Sequence, residues 1–369
     1  MTADPIGGVW TYALELARAL ESHGIQIALA SMGARVTREQ YQQVLARKNV
    51  RLFESTYRLE WMDDPWDDVD RAGDWLLQVA ERTRADLIHL NDYSHAVLPW
   101  SAPVLVAAHS CVLSWWRAVK NEMAPAKYDE YRARVAAGLT AADMVVAPSI
   151  AMRDALVANY NRRADCIVIR NARDSRAFSC GQKSSVVFSC GRVWDEAKNL
   201  RLLDKIAPHI AWSIAVAGDC HHPDGSTIAL HNVRCIGQIP QRELVQQLSR
   251  AAIFVLPARY EPFGLSALEA GLSGCALVLG DIPSLREIWH GSAIFVPPDH
   301  TSGFINALNG LIENPRRRED FGRRARARAI AFSTHKMANE YVGAYTACLR
   351  VESDAPAARP PLVFEEVAA

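Results

Sequence analysis

Residues 259–274 read Arg-Tyr-Glu-Pro-Phe-Gly-Leu-Ser-Ala-Leu-Glu-Ala-Gly-Leu-Ser-Gly and stand between two apolar runs, 251–256 and 275–279. Short apolar runs bounded by turn residues read as buried strands, so the chain here is strand, turn, helix, strand. Pro262 suits a first helical turn, where its missing N–H costs nothing, and Gly264 lets the backbone come close to whatever lies outside it. The turn can therefore present bare amides to a ligand. Glu261 and Glu269 bracket the motif, and their spacing along an ideal helix is about 12 Å. An ionised Glu accepts hydrogen bonds through both oxygens, which matches vicinal hydroxyls. The plainer reading makes Glu261 a first-turn acid that complements the helix dipole and Glu269 a solvated helix residue. Spacing alone leaves both readings open.

The same strand-then-turn pattern recurs on either side. The apolar run 186–190 enters Gly191-Arg192 and, after Trp194, Asp195 and Glu196, reaches Lys198-Asn199 and a helix over 200–206. Two cations six residues apart across a glycine turn at a helix start can clamp two phosphates, one from each side. The alternative is surface charge paired with Asp195 and Glu196. A strand over 213–218 ends at Gly218-Asp219. At the chain's start, Asp4-Pro5-Ile6-Gly7-Gly8 opens an amphipathic helix, a second arrangement that can cradle phosphate or can simply need positive φ at a glycine. Strands over 86–91 and 103–109 end in Asn91 and His109. In open α/β sheets ligands bind beyond the carboxyl ends of the strands, which puts Asn91, Asp92 and His109 on the cleft side.

Glu-x7-Glu enclosing Pro-Phe-Gly-Leu, with Gly7-Gly8 and Gly-Arg…Lys-Asn, resembles the signature of the retaining glycosyltransferases of the family 4 type, also called glycosyl transferases group 1. The resemblance covers nearly the whole chain. It implies an α/β fold of GT-B architecture, two Rossmann-like doubly wound domains facing a central cleft. The implied activity is transfer of a sugar, with retention, from a nucleotide-diphosphate-sugar donor to a hydroxyl of a saccharide or lipid-linked acceptor. Arg192 and Lys198 would then hold the departing diphosphate, with the amides of Phe263, Gly264 and Leu265. Glu261 would hold sugar hydroxyls, Glu269 the ribose, and His109 the donor sugar from the other domain. Gly7 and Gly8 would lie against the diphosphate or the acceptor, and Gly191 and Gly218 would line the donor site. The resemblance implies no metal and no cofactor beyond the nucleotide sugar. A GT-B epimerase or phosphorylase, or a non-catalytic nucleotide-sugar-binding protein, would share these features. A nicotinamide dehydrogenase would not, because Gly7-Gly8 lacks the G-x-G-x-x-G pattern.

The expected organisation is a first domain over 1–172, a linker over 173–185, a second domain over 186–335, a helix over 336–350 crossing back to the first domain, and a disordered tail over 351–369. Only three residues precede Asp4, so the first strand is expected to be a stub, with the natural start lying upstream. Lys plus Arg equals Asp plus Glu at 41 each, so no global field points to nucleic acid. The eight cysteines include no C-x-x-C pair, which favours a reducing compartment and argues against structural zinc. No apolar run approaches a membrane span and no signal sequence opens the chain, so a cytoplasmic location is expected. His221-His222 lacks further ligands at zinc spacing. The tryptophans of 61–66 could stack on a sugar or plug a domain edge. The arginines from Arg316 to Arg328 could meet a membrane surface, although Phe321, Ala325 and Ala329 keep an apolar stripe that fits an ordinary surface helix.

Overall fold

The computed structural model describes residues 1–160, 166–221 and 225–354. Every ladder between strands among them is parallel, and one isolated antiparallel bridge joins His221 to Thr227. In the second lobe, β8 (Ser184–Cys190), β9 (Ser213–Ala217), β10 (Arg234–Gly237), β11 (Ala251–Leu256), β12 (Ala276–Gly280) and β13 (Ala293–Val296) form one sheet ordered β10-β9-β8-β11-β12-β13. Renumbered within the lobe this is 3-2-1-4-5-6, the doubly wound order, and the direction of winding reverses between β8 and β11. All six residues of β11 are buried, as expected of a parallel strand covered on both faces by helices. Alternate residues supply two cores, Phe254 and Leu256 with Phe188, Leu268 and Leu277 on one face, and Ile253 and Val255 with Val187, Val278 and Leu308 on the other. Truncating any of these to alanine would cost about 2–5 kcal/mol.

The first lobe places β1 (Thr2–Ala3), β2 (Ile27–Ser31) and β3 (Val50–Glu54) in one sheet, and β4 (Ile88–Leu90), β5 (Val104–Ala107), β6 (Met144–Ala147) and β7 (Cys166–Val168) in another, ordered β1-β2-β3 and β4-β5-β6-β7. Strand β1 has two residues, and no backbone ladder joins it to β4. Side chains bridge the gap instead. The Asn91 N–H donates to Thr2 Oγ1 (2.7 Å), Asn91 Nδ2 donates to the Thr2 carbonyl (2.5 Å), and Thr2 Oγ1 donates to Asp92 Oδ2 (3.0 Å). Beneath this bridge His95 Nδ1 meets Asp92 Oδ1 at 2.7 Å, and its Nε2 meets the Val69 carbonyl at 3.0 Å. Both partners can only accept, so His95 carries both ring protons. Burial opposes that charge, but Asp92 holds the His95 pKa up to about 9.

The last helix, Thr334–Asp354, starts two residues before the expected 336 and passes the expected end at 350; residues 355–369 of the expected tail lie outside the described residues. Met337, Tyr341 and Tyr345 pack with Ala3, Tyr12 and Leu16 of the first lobe, and Tyr345 Oη lies 2.7 Å from His89 Nδ1. The expected linker needs correction. Strand β8 begins inside the segment read as linker. The helix Thr301–Ile312 was not foreseen, although Phe304, Leu308 and Leu311 give it a buried stripe. Trp66 opens the helix Trp66–Thr83 and stacks under Arg134 (4.7 Å), so it plugs an edge rather than facing a ligand. In the helix Pro315–Ile330, three arginines turn inward onto carbonyls, Arg318 onto Leu311, Arg326 onto Leu272 and Arg328 onto Ile288. His222 lies outside the described residues; His221 is bonded to Asp219.

Candidate functional site

The reversal point of the second sheet gathers the two motifs that stand apart in sequence. Strand β8 ends at Cys190, and Gly191 leaves it with φ 154°, its N–H bonded to the Ala217 carbonyl. A Cβ on Gly218 (φ 147°) would sit 1.8 Å from the Gly191 carbonyl oxygen, so only glycine permits this crossing of the β8 and β9 ends. The loop then turns back toward β11, where the Ala197 carbonyl accepts from the N–H of Arg259 (2.8 Å). Buried Asn199 ties the same loop to the Pro257 and Pro298 carbonyls. Arg192 and Lys198 are thereby held beside the Glu261 turn.

Each cation already has a carboxylate. Lys198 Nζ lies 2.5 Å from Glu261 Oε2, and Arg192 Nη2 lies 2.7 Å from Asp195 Oδ2. The alternative pairing with Asp195 is thus realised for Arg192, whereas Glu196 pairs across the cleft with Lys120. Arg192 Nε is buried without a hydrogen-bond partner.

The helix after β11 is Leu265–Leu272, so Pro262 lies ahead of it and not in its first turn. Gly264, left-handed at φ 92°, is the residue that starts the helix, because it alone can take that conformation without strain. Its N–H donates to Glu261 Oε1 (3.1 Å) and is not a bare amide. The 12 Å helical spacing of Glu261 and Glu269 fails for the same reason, since Glu261 is outside the helix. The Phe263 side chain is buried edge-on against Phe332 and belongs to the core. Ser284 Oγ donates to the Glu261 carbonyl and fixes the turn from below.

Glu269 is buried, not solvated. Arg173, from the segment joining the lobes, places Nε 2.9 Å from Glu269 Oε1 and donates through Nη1 to Glu15 Oε1 (2.9 Å) on the first lobe's helix Gly8–Leu20. Arg18 extends the chain of charges, contacting Glu15 (3.1 Å) and Asp174 (3.2 Å). Burial raises the Glu269 pKa, and Arg173 opposes that rise.

The first lobe brings Gly7 and Gly8 onto this surface. Gly7 (φ 104°) precedes the helix Gly8–Leu20; a Cβ there would come within 3.4 Å of Arg192 Nη1, and one on Gly8 within 3.4 Å of Leu265 Cδ1. His109 Nε2 lies 2.8 Å from Asn91 Oδ1. Asn91 Nδ2 is committed to the Thr2 carbonyl, so Oδ1 accepts, Nε2 carries the His109 proton and Nδ1 keeps its lone pair. Burial lowers the His109 pKa to about 4, which keeps it neutral near pH 7. The edge of Tyr12 packs on its ring at 4.4 Å.

Further contacts close the cleft between the lobes. Tyr260 Oη accepts from the Cys111 N–H (3.1 Å), Ser149 Oγ donates to the Pro262 carbonyl (2.7 Å), and Glu287 accepts from the Ile150 and Ala151 N–H groups at a first-lobe helix start. Sequence reasoning missed Arg173, Tyr260 and Asp4. Asp4 sits at the end of β1, its pKa raised to about 6 by burial while Arg192 pulls it down. An acid at the end of the first strand was a usable signal for Asp4; nothing local marked Arg173, whose partners are distant in sequence. Among the described residues no group of three or more His, Cys, Asp or Glu side chains gathers as a metal site, and no helix is long and apolar enough to cross a membrane.

Two doubly wound lobes meeting across such a cleft define a GT-B protein. The profile of Glycosyltransferase Family 4 matches residues 6–176 and that of Glycosyl transferases group 1 matches residues 184–314, and the chain belongs to this family. Glycogen synthase of Mycobacterium tuberculosis is 34% identical over 137 residues, 36% of this chain and 33% of that protein. D-rhamnosyltransferase WbpZ of Pseudomonas aeruginosa is 31% identical over 112 residues, 29% of each. These matches span about a third of the curated relatives' length. Among solved structures, sucrose-phosphate synthase from Thermosynechococcus elongatus superposes with a TM-score of 0.77 at 18% identity, covering 95% of this chain and 99% of that one. HepE of Anabaena, in complex with UDP-glucose, superposes with a TM-score of 0.73 at 15% identity over 92% and 96%.

Proposed function

We propose that this chain moves a sugar from a nucleotide-diphosphate donor to an acceptor hydroxyl with retention at the anomeric carbon. The observation that carries the reading is the placement of Arg192 and Lys198 at the β8–β11 reversal, stitched to the Glu261 turn and opposite Gly7-Gly8. Two cations there offset the charge that develops on a departing diphosphate, and such electrostatic stabilisation is usually the largest catalytic term. Lys198 then shares its proton donors between Glu261 and a phosphate, and Arg192 shares its own with Asp195. Glu261 holds sugar hydroxyls, Glu269 the ribose, and His109 approaches the sugar from the first lobe as a neutral imidazole. No metal is assigned, because the protein itself supplies the counter-charge. HepE, of the same fold, was solved with UDP-glucose, which supports a nucleotide-sugar donor. The carboxylate nearest the clamp, Glu261, is tied by Lys198 and Gly264 and is not disposed as a covalent nucleophile. Given the retention that the family resemblance implies, the reading is attack by the acceptor hydroxyl on the face the diphosphate leaves. The acceptor is assigned only as a saccharide or lipid-linked hydroxyl.

The experiment is proton NMR of the transfer product from a defined α-linked nucleotide sugar, with candidate saccharide and lipid-linked acceptors. An α-linked product supports the reading. A β-linked product removes retention, and an epimerised or phosphorolysed sugar formed without acceptor replaces transfer by the rival reactions.

A further inference from the structure

We propose that Arg173 is a positioning residue whose guanidinium, shared between Glu269 of the second lobe and Glu15 of the first, sets the charge with which Glu269 meets a nucleotide ribose. This rests on the reading of Glu269 given above. The three side chains are all buried and come from three separate parts of the chain: the helix Leu265–Leu272, the segment between the lobes, and the helix Gly8–Leu20. Arg173 stacks on the Phe178 ring at 5.4 Å, which fixes the guanidinium plane. Its Nη1 donates to Glu15 Oε1, and its Nε lies 2.9 Å from Glu269 Oε1, so one guanidinium serves both carboxylates. The cation therefore favours the ionised form of Glu269, the form that accepts from hydroxyl donors without giving up a proton. The Gln241 amide also faces Glu269 and favours its ionised form.

The charged and titratable groups facing Glu269 are Arg173 from the inter-lobe segment, Glu15 from the first lobe's helix and Cys190 from the end of β8. Arg173 is the only one of these that favours the ionised carboxylate; Glu15 opposes it. A carboxylate buried without its cation takes up a proton, and its charge-assisted bonds to ribose are lost. The two neighbours of Glu269 thus have opposite signs, and removing each should move donor binding in opposite directions.

The test measures affinity against pH, by calorimetry, for UDP-glucose, GDP-mannose and ADP-glucose with the wild type, Arg173→Met, Arg173→Lys and Glu15→Gln. Glu15→Gln keeps an amide oxygen for the Arg173 Nη1 proton while deleting the charge. For whichever sugar nucleotide the wild type binds, affinity falls on acidification as Glu269 is protonated. Arg173→Met should move that fall about one pH unit upward, which is about a tenfold loss at a pH below both midpoints. Arg173→Lys should restore much of it, and Glu15→Gln should move it downward. Shifts of one sign in Arg173→Met and Glu15→Gln, or none in a folded Arg173→Met, overturn the proposal. A wild type that binds none of the three overturns the donor reading instead, and a ligand-free arm then decides for Arg173. Its Met variant should lose more thermal stability at about pH 8 than at about pH 5.5, because a buried carboxylate needs the cation less as acid protonates it. An equal deficit at both values counts against it.

Discussion

The two lobes solve the same problem, a reversal of winding at the centre of a parallel sheet, with different materials. In the second lobe β8 and β11 are hydrogen-bonded neighbours, and glycines at the ends of β8 and β9 let the backbone cross closely. In the first lobe β1 and β4 share no ladder, and the seam is made by Thr2, Asn91 and Asp92, with His95 beneath. A seam of backbone tolerates change in neighbouring side chains, while a seam of side chains depends on each one. The comparison predicts that damage to the second lobe's reversal point will appear chiefly in catalysis, and damage to the first lobe's chiefly in stability.

The largest effect expected is on the clamp. Lys198→Ala and Arg192→Ala should each lower the transfer rate about 10²–10³-fold with little change in thermal stability, as steady-state kinetics with a saturating donor would show. A near-normal rate in either variant would remove the clamp from the mechanism. Next is the buried seam. Asp92→Asn leaves the His95 cation without its anion and should cost about 3 kcal/mol in urea unfolding at neutral pH. The sign with pH follows from His95, whose folded pKa of about 9 lies above the ordinary value near 6.5. Its contribution is complete below about pH 6.5 and is lost as pH rises through about 9, and the variant should lack that dependence.

A smaller effect joins the two regions. Asn91→Asp sets a carboxylate against His109 Nε2, so the His109 pKa should rise from about 4 and the acid limb of the rate profile should move upward with it. An unmoved limb would mean that the protonation of His109 does not govern turnover. The smallest effect is expected from chelation. EDTA should leave the transfer rate unchanged, and a loss restored by a divalent cation would show that the two side-chain cations do not suffice.

The same contrast explains what could be read from the sequence. The second lobe's reversal point was legible because Gly191 to Asn199 and Glu261 to Glu269 are contiguous motifs with fixed backbone demands. Where those demands were misread, the cause was local competition: Gly264 takes the left-handed start, so the helix begins after Pro262 and the Gly264 amide turns to Glu261. The helix Thr301–Ile312 carries its signal in the periodic Phe304, Leu308 and Leu311. Of the first lobe's seam only the strand-end placement of Asn91 and Asp92 was legible, and the Glu15–Arg173–Glu269 series was not legible at all. Arg173 lies 158 positions from Glu15, and no periodicity links such partners. Burial of Glu269 likewise depends on elements that only the folded chain brings together.

The return of the final helix to the first lobe has a practical consequence for dissecting the molecule. Its residues Met337, Tyr341 and Tyr345 cover Ala3, Tyr12 and Leu16, so a fragment cut at the junction near residue 183 would leave that apolar face wet and His89 deprived of Tyr345. Isolating the first half as a working unit would call for grafting residues 334–354 back onto it, whereas the second half would surrender a helix of which residues 334–350 take no part in its own two cores.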